Sequence, residues 1–199
     1  MIDHLPLTDS RKQRLISVVS NRQYDLTIIA ENIFDPHNVS AIFRTCDAVG
    51  IPKVHLLYND EPFPKIGKKS SASAFKWVAR ERHTTVVQCY SKLREDGFVI
   101  YASKLDPGAV NMHELDFTKK VAIVMGNEHR GISDQAAEQA DKIFYIPMYG
   151  IVQSLNVSVA AAVIMYEALR QRSEKHMYNK DIASDPILTD LLLQYASKK

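Results

Sequence analysis

Apolar residues in this chain alternate between short runs with the length of a strand and longer segments with helical spacing. The short runs are rich in β-branched and aromatic residues, which favour strands. They predict strands at residues 26–30, 53–58, 85–89, 98–102, 121–125 and 143–146. Because helical segments separate several of these runs, the pattern predicts an α/β fold with a mostly parallel sheet and helices on both faces.

The helical segments combine an apolar stripe with residues that are typical of helix ends. The segment 38–49 has Asn38 at the position of an N-cap and Gly50 just beyond its last residue. Further helices are predicted at residues 8–22, 91–96, 133–140, 155–172 and 186–197. We therefore expect a basic N-terminal helix in residues 1–23, a core domain in residues 24–172 and a C-terminal helical extension in residues 173–199.

The predicted helix that starts at Leu155 is unusual, since only Ser158 is polar between residues 157 and 166. A helix that is apolar on every side must be covered on every side, by its own domain together with a partner chain or by unusual threading. A buried helix with a polar cap explains this stretch, but it does not explain why Gln153, Ser154 and Asn156 stand together at its entrance.

Composition places the chain among ordinary globular proteins. It has 199 residues, of which 46% are hydrophobic and 24% charged, so one domain with modest extensions is expected. The net charge of +2 is too small to identify a nucleic-acid partner by itself. No apolar run approaches the roughly 20 residues that span a bilayer, so we expect no membrane association.

Cysteine and histidine spacing predicts neither a disulfide nor a metal site. Cys46 and Cys89 lack CxxC spacing, and the chain does not start with a signal peptide, so free thiols and a cytoplasmic location are expected. The histidines show neither HExxH nor HxH spacing, so we predict no bound metal.

Three polar loops follow predicted strands, at the sheet edge where parallel sheets bind ligands. Residues 31–44, ENIFDPHNVSAIFR, end at Arg44, which shares a helical face with Ser40 and Asp47. A surface network of these three side chains is therefore as good an interpretation as a functional role. Residues 121–133, VAIVMGNEHRGIS, carry Glu128 between two glycines that suit tight turning or close approach to a ligand. Residues 146–165, IPMYGIVQSLNVSVAAAVIM, form the third loop and the apolar helix.

In this order and spacing, the three loops resemble the three motifs of the SPOUT methyltransferases, specifically the TrmH-type family of tRNA and rRNA ribose 2′-O-methyltransferases. The resemblance extends over about residues 25–172. It implies a deep trefoil knot in which residues 146–156 thread through an earlier loop, although patterning alone cannot predict such a rare topology. It also implies a homodimer that packs the first-motif helix against the last core helix, which would cover the apolar helix. The terminal helices resemble those of family members that methylate guanosine 18 of tRNA.

The resemblance assigns roles to residues at matching positions. Asn38 would orient Arg44, which would act at the ribose hydroxyl, and Glu128, Ser154 and Asn156 would complete the site. S-adenosylmethionine would be bound largely by the backbone of Met125, Gly126, Asn127, Ile146, Met148, Ser154 and Leu155. Because a guanidinium keeps its proton at ordinary pH, two roles remain open for Arg44, a strongly perturbed base or a group that stabilises developing alkoxide charge.

Basic residues near both ends and in the middle of the chain are candidates for tRNA contacts. Each basic cluster taken alone is most often a solvated face. The predicted RNA-binding residues are Arg11, Arg14, Arg94, Arg170, Arg172 and Lys175, with a further cluster at Lys65, Lys68, Lys69 and Lys76. Methylation of the wobble nucleotide or of rRNA, and RNA binding without catalysis, are the alternatives. An oxidoreductase with a nucleotide cofactor is disfavoured because the G-x-G-x-x-G pattern is absent.

Overall fold

The computed structural model describes residues 2, 5–64 and 74–198. Within these residues the strands are β1 Leu26–Glu31, β2 Lys53–Leu57, β3 Ala79–His83, β4 Val99–Ser103, β5 Val110–Asn111, β6 Val121–Met125 and β7 Lys142–Tyr145. They form one sheet in the order β3-β2-β1-β6-β4-β7-β5, and every neighbouring pair is parallel. The predicted α/β fold with a parallel sheet is therefore confirmed.

Helices cover both faces of this sheet. Their bounds are α1 Asp9–Ser20, α2 Pro36–Val49, α3 Ala74–Trp77, α4 Val86–Glu95, α5 Asp134–Glu138, α6 Val157–Glu174 and α7 Pro186–Ala196. Ile28 and Ala30 of β1 pack in a core that contains residues of α2 and α6, whereas Ile29 packs on the opposite face with residues of α4 and α5. This alternation follows from the two-residue period of a strand.

Helix α2 begins one turn earlier than the sequence predicts. The Asp35 side chain caps the helix by accepting a hydrogen bond from the amide of His37, and Pro36 occupies the first turn. The predicted N-cap at Asn38 is therefore wrong, and the Asn38 amide side chain is free for another contact. The predicted stop is confirmed, because Gly50 adopts a left-handed conformation with φ of 89°.

The predicted strand at residues 85–89 is wrong. Thr85 caps α4 by accepting a hydrogen bond from the amide of Gln88, so the β-branched run that follows is the first turn of a helix. The strand of this region is β3, whose mostly exposed, polar residues gave no apolar signal. Because β3 lies at the edge of the sheet, its side chains need not be apolar.

The terminal helices pack against each other beside the core. Leu15 and Val19 of α1 contact a cluster that contains Leu188 and Leu192 of α7. Trp77 packs edge-on against Tyr195 at 5.2 Å between ring centroids. No helix in the described part of the chain has the length and apolar character needed to cross a membrane.

Candidate active site

A cleft of about 720 Å³ opens at the carboxyl ends of β4, β6 and β7. Its walls come from residues 103–105 after β4, residues 125–132 at the end of β6, and residues 145–157 between β7 and α6. All the residues that were predicted to bind a cofactor line it, namely Met125, Gly126, Asn127, Ile146, Met148, Ser154 and Leu155. The structure thus brings the second and third loops together around one space.

The wall after β6 is a tight turn. A Cβ atom at Gly126 would lie 2.2 Å from the carbonyl carbon of Gly131, so only glycine fits there. Asn127 and Gly131 exchange backbone hydrogen bonds of 2.9 Å, and the Asn127 side chain donates to the carbonyl of Asn32 at 2.7 Å. Of the two interpretations of these glycines, the structure shows tight turning, which fixes the turn against β1.

Glu128 connects this turn to the start of α2. Its carboxylate accepts hydrogen bonds from the amides of Phe34 (2.8 Å) and Asp35 (3.1 Å) and from the side-chain amide of Asn38 (2.7 Å). Partial burial raises the pKa of the Glu128 carboxyl, but the three donors outweigh it, so the pKa lies below its usual value. A carboxylate held ionised by three donors orients its neighbours and is a poor general base.

Asn38 and Asn156 extend this connection to the third loop. The Asn156 side-chain amide donates to the Asn38 side-chain oxygen at 3.1 Å, and the Asn156 oxygen caps α6 through the amides of Ser158 and Val159. One chain of hydrogen bonds from Glu128 through Asn38 to Asn156 therefore joins all three loops. No hydrogen bond between Asn38 and Arg44 is present among the described residues, so the expected orientation of Arg44 by Asn38 is not seen.

Arg44 lies on the exposed side of α2 and does not line the cleft of its own chain. The surface network of Ser40, Arg44 and Asp47 does not form. Ser40 is only 1% exposed, and the Asp47 carboxylate binds the buried Arg22 guanidinium at 2.5 Å. Within the described part of the chain, no hydrogen bond or ion pair engages Arg44, so its guanidinium is available to an external ligand.

Sequence reasoning missed the wall of the cleft after β4, formed by Ser103, Lys104 and Leu105. Lys104 pairs with Asp134 at 2.8 Å, and Leu105 is largely exposed. This loop carries no distinctive motif. The only feature that could have indicated it is its position after β4, which lies beside β6 in the sheet.

Comparison with known proteins identifies the family. The SpoU rRNA Methylase family matches residues 25–166. A tRNA (guanosine(18)-2′-O)-methyltransferase of Aquifex aeolicus is 40% identical over 196 residues, covering 98% of this chain and 93% of the relative. The chain belongs to the SpoU methylase family. The resemblance drawn from the three motifs is thereby confirmed.

Solved structures of SpoU methylases agree with this assignment. The crystal structure of an A. aeolicus TrmH/SpoU tRNA modifying enzyme has a TM-score of 0.86 and 41% identity, and the match covers 94% of this chain and 95% of that chain. An AdoMet-bound rRNA methyltransferase from Sinorhizobium meliloti has a TM-score of 0.63 and 25% identity, with 75% of this chain and 57% of that chain covered.

One predicted RNA contact is wrong in this SpoU methylase. Arg172 is fully buried, and its guanidinium binds the Asp25 carboxylate at 2.5 Å and the carbonyls of Phe117 and Lys119. It also donates to the side-chain oxygen of Gln23. Arg172 therefore fastens the C-terminal part of α6 to the core and cannot reach RNA.

The other predicted RNA-binding residues differ in whether their side chains are bound within the protein or exposed to solvent. Arg94 is bound to Asp141 and to the carbonyl of Gln139, and Arg170 pairs with Glu167 and Glu174. Arg11 donates to the carbonyl of Lys198. Arg14 and Lys175 are exposed. Lys65, Lys68 and Lys69 lie outside the described residues.

Proposed function

We propose that this SpoU methylase transfers the methyl group of S-adenosylmethionine to the 2′-hydroxyl of guanosine 18 in tRNA. The observation that carries the proposal is one cleft between the second and third motif loops, to which the first motif loop is joined by hydrogen bonds from Glu128 through Asn38 to Asn156. The A. aeolicus relative that is named for this reaction matches nearly the whole chain, terminal helices included. That match supports tRNA rather than rRNA as the substrate.

The cleft fits S-adenosylmethionine in size and chemistry. Its volume of about 720 Å³ lies within the usual range for small-molecule sites. Ile146, Leu155 and Val157 give it apolar surface for a purine ring, and the ends of three strands supply backbone donors and acceptors. When bound, the cofactor supplies an electrophilic methyl group on a sulfonium centre.

The reaction requires the 2′-oxygen to be held in line with that methyl group, which is chiefly a matter of positioning. Glu128 and Asn38 act as positioning residues, because they fix the relative placement of α2 and the two cleft loops. Asn156 fixes the start of α6, and Ser154, which lines the cleft without a hydrogen bond in the described part of the chain, is left to contact the substrate.

Arg44 is the residue that we assign to the reacting ribose. A guanidinium remains protonated at physiological pH, so a role as general base is disfavoured on chemical grounds. We assign it to stabilising negative charge on the 2′-oxygen and binding an adjacent RNA phosphate, while the hydroxyl proton passes to solvent.

A homodimer explains two features that one chain leaves open. Arg44 lies outside its own cleft, and α6 presents an apolar stripe of Val159, Val163 and Tyr166 to solvent, with 48%, 36% and 53% exposure. The spacing i, i+4, i+7 places these three side chains on one face of the helix. A second copy packed on α2 and α6 would cover the stripe and bring Arg44 close to the partner's cleft.

The trefoil knot and the cytoplasmic location belong to the same proposal. The knot is supported by membership of the family and by the position of residues 145–157, which form a wall of the cleft. The chain path in an electron-density map tests the knot.

The cytoplasmic location is supported by the two buried, unpaired cysteines, which suit a reducing compartment. Cell fractionation tests this location.

The experiment that tests the proposed function is methylation of unmodified tRNA with labelled S-adenosylmethionine, followed by nucleotide-resolution mapping by mass spectrometry. We expect one methyl group at the 2′-oxygen of guanosine 18. A methyl group at the wobble nucleotide, or incorporation only into rRNA, would contradict the proposal and identify that nucleotide or rRNA as the substrate. Calorimetry that detects no binding of the cofactor would support RNA binding without catalysis.

A further inference from the structure

Three side chains that the proposed reaction does not use lie together beneath α4. His55 of β2, His83 of β3 and Cys89 of α4 are all buried, with exposed fractions of 3% or less. One ligand atom of each lies within 4.8 Å of the others. None of the three lines the cleft.

The hydrogen bonding of this group is incomplete. The Nδ1 atom of His55 and the Nε2 atom of His83 are 2.9 Å apart and share a hydrogen bond. The Nδ1 atom of His83 is buried without a hydrogen-bond partner among the described residues. A buried polar atom without a partner destabilises the folded state, so the two rings form a buried polar group that the protein itself satisfies only in part.

All three side chains are of types that bind metal ions. A neutral imidazole binds through a ring nitrogen with a free lone pair, and cysteine binds as the thiolate. The thiol of Cys89 therefore loses its proton when a cation binds.

We propose that His55, His83 and Cys89 form a structural zinc site that fastens the edge strand β3 and helix α4 to β2. Imidazole nitrogen and thiolate sulfur are the donors that Zn²⁺ prefers, at distances of about 2.0–2.3 Å in a tetrahedral arrangement. The Nδ1 atom of His55 and the Nε2 atom of His83 face each other at 2.9 Å, and both rings would separate and turn to direct a lone pair at the ion.

Glu81 is placed to be the fourth ligand. Its carboxylate oxygen lies 3.9 Å from the Nε2 atom of His83, and Glu81 stands opposite His55 in the pairing of β2 with β3. Its other oxygen binds Lys53 at 3.2 Å. Four protein donors leave no position for a substrate, which is typical of structural rather than catalytic zinc.

The proton balance of binding follows from the forms in which these side chains bind a metal ion. When the zinc–sulfur bond forms, the Cys89 thiol loses its proton to solvent. Neutral imidazoles lose no proton on binding. Binding at pH 7 is therefore expected to release about one proton per zinc ion.

The test uses the full-length protein, freed of metal by a chelator and titrated with Zn²⁺ against a chromophoric indicator. We expect one equivalent of tight binding, release of about one proton per ion and a higher melting temperature. Co²⁺ in place of Zn²⁺ is expected to give a thiolate-to-cobalt charge-transfer band. Cys89→Ala should abolish the band and weaken zinc binding at least tenfold, whereas Cys46→Ala, which removes the other buried thiol, should retain both.

Equal zinc affinity in the wild type and in Cys89→Ala would overturn the proposal, as would loss of the cobalt band in Cys46→Ala. If Cys89→Ala does not fold, proton release and the cobalt band of the wild-type protein still test the proposal. A wild-type protein that shows neither proton release nor a charge-transfer band has no zinc–thiolate bond. None of these readouts depends on methyltransferase activity.

Discussion

The Glu128 carboxylate accepts a 2.7 Å hydrogen bond from the side-chain amide of Asn38, although the two residues lie 90 positions apart. This contact joins the turn after β6 to the first helix of the core. Since Asn38 also accepts a hydrogen bond from Asn156, the relative placement of three loops depends on one carboxylate. The geometry of the site can therefore be perturbed at this one carboxylate, which itself lines the cleft.

Glu128→Gln tests this role. Glutamine offers one acceptor oxygen in place of two and directs N–H groups at donors, so stability at pH 7 should fall by about 1–3 kcal/mol and methyl transfer should slow. Denaturant unfolding and single-turnover rates measure the two effects. Glu95→Gln, an exposed site on α4, is the control and should change neither.

The same variant predicts a pH dependence. The folded-state pKa of Glu128 lies below its unfolded value, so its contribution to stability is present above the unfolded pKa and is lost as pH falls through the folded pKa. The stability difference between wild type and Glu128→Gln should therefore be largest near pH 7 and shrink in acid. A difference that grows as the pH is lowered would contradict this assignment of the carboxylate.

Arg172 and Arg14 are predicted to behave in opposite ways. Arg172→Ala leaves the Asp25 carboxylate without its buried partner and should cost about 3–5 kcal/mol of stability.

Arg14→Ala should leave the melting temperature unchanged and weaken tRNA binding. The slope of log affinity against log salt concentration should become shallower by about one, because one phosphate contact is lost. If Arg14→Ala bound tRNA like the wild type at all salt concentrations, α1 would not be part of the RNA surface.

Arg44→Lys separates the two chemical roles that remain for this residue. Lysine retains the positive charge but titrates at lower pH, so a base role predicts a pH profile of the single-turnover rate that moves with the substitution. An electrostatic role predicts a lower rate with an unchanged profile, because neither side chain transfers a proton. We expect the second result, and a shifted profile would require the base role.

The apolar stripe on α6 predicts how formation of the proposed homodimer can be disrupted. Val163→Glu should convert a dimer to a monomer in sedimentation equilibrium and reduce methylation, because a charge in an apolar interface is not compensated. Val87→Glu on α4, where valine is 52% exposed, is the matched control and should leave the mass unchanged. A Val163→Glu protein that remains dimeric places the interface elsewhere.

Periodicity predicted the strands of the sheet centre and the long helices because burial imposes a regular pattern on them. It failed at β3, where an edge strand keeps polar side chains, and at residues 85–89, where β-branched residues start a helix behind the Thr85 cap. A basic residue such as Arg172 looks the same in sequence whether it faces solvent or a buried carboxylate.

The spacing of residues in the sequence reveals a group of metal ligands only when one helix, strand or loop carries them. The motifs indicated the cleft loops because each motif is a contiguous segment at a strand end. The group of His55, His83 and Cys89 comes from two strands and a helix, so no local pattern marks it. Local spacing alone predicted no metal, because these three side chains come together only in the folded chain.

The most direct test of the central claim changes one atom of the substrate. An unmodified tRNA and the same tRNA with 2′-deoxyguanosine at position 18 are incubated with the protein and labelled S-adenosylmethionine, and incorporated methyl groups are counted. The account predicts about one methyl group per unmodified tRNA and none for the deoxy substrate, which lacks the accepting oxygen. Equal incorporation into both would contradict methylation of the guanosine 18 ribose.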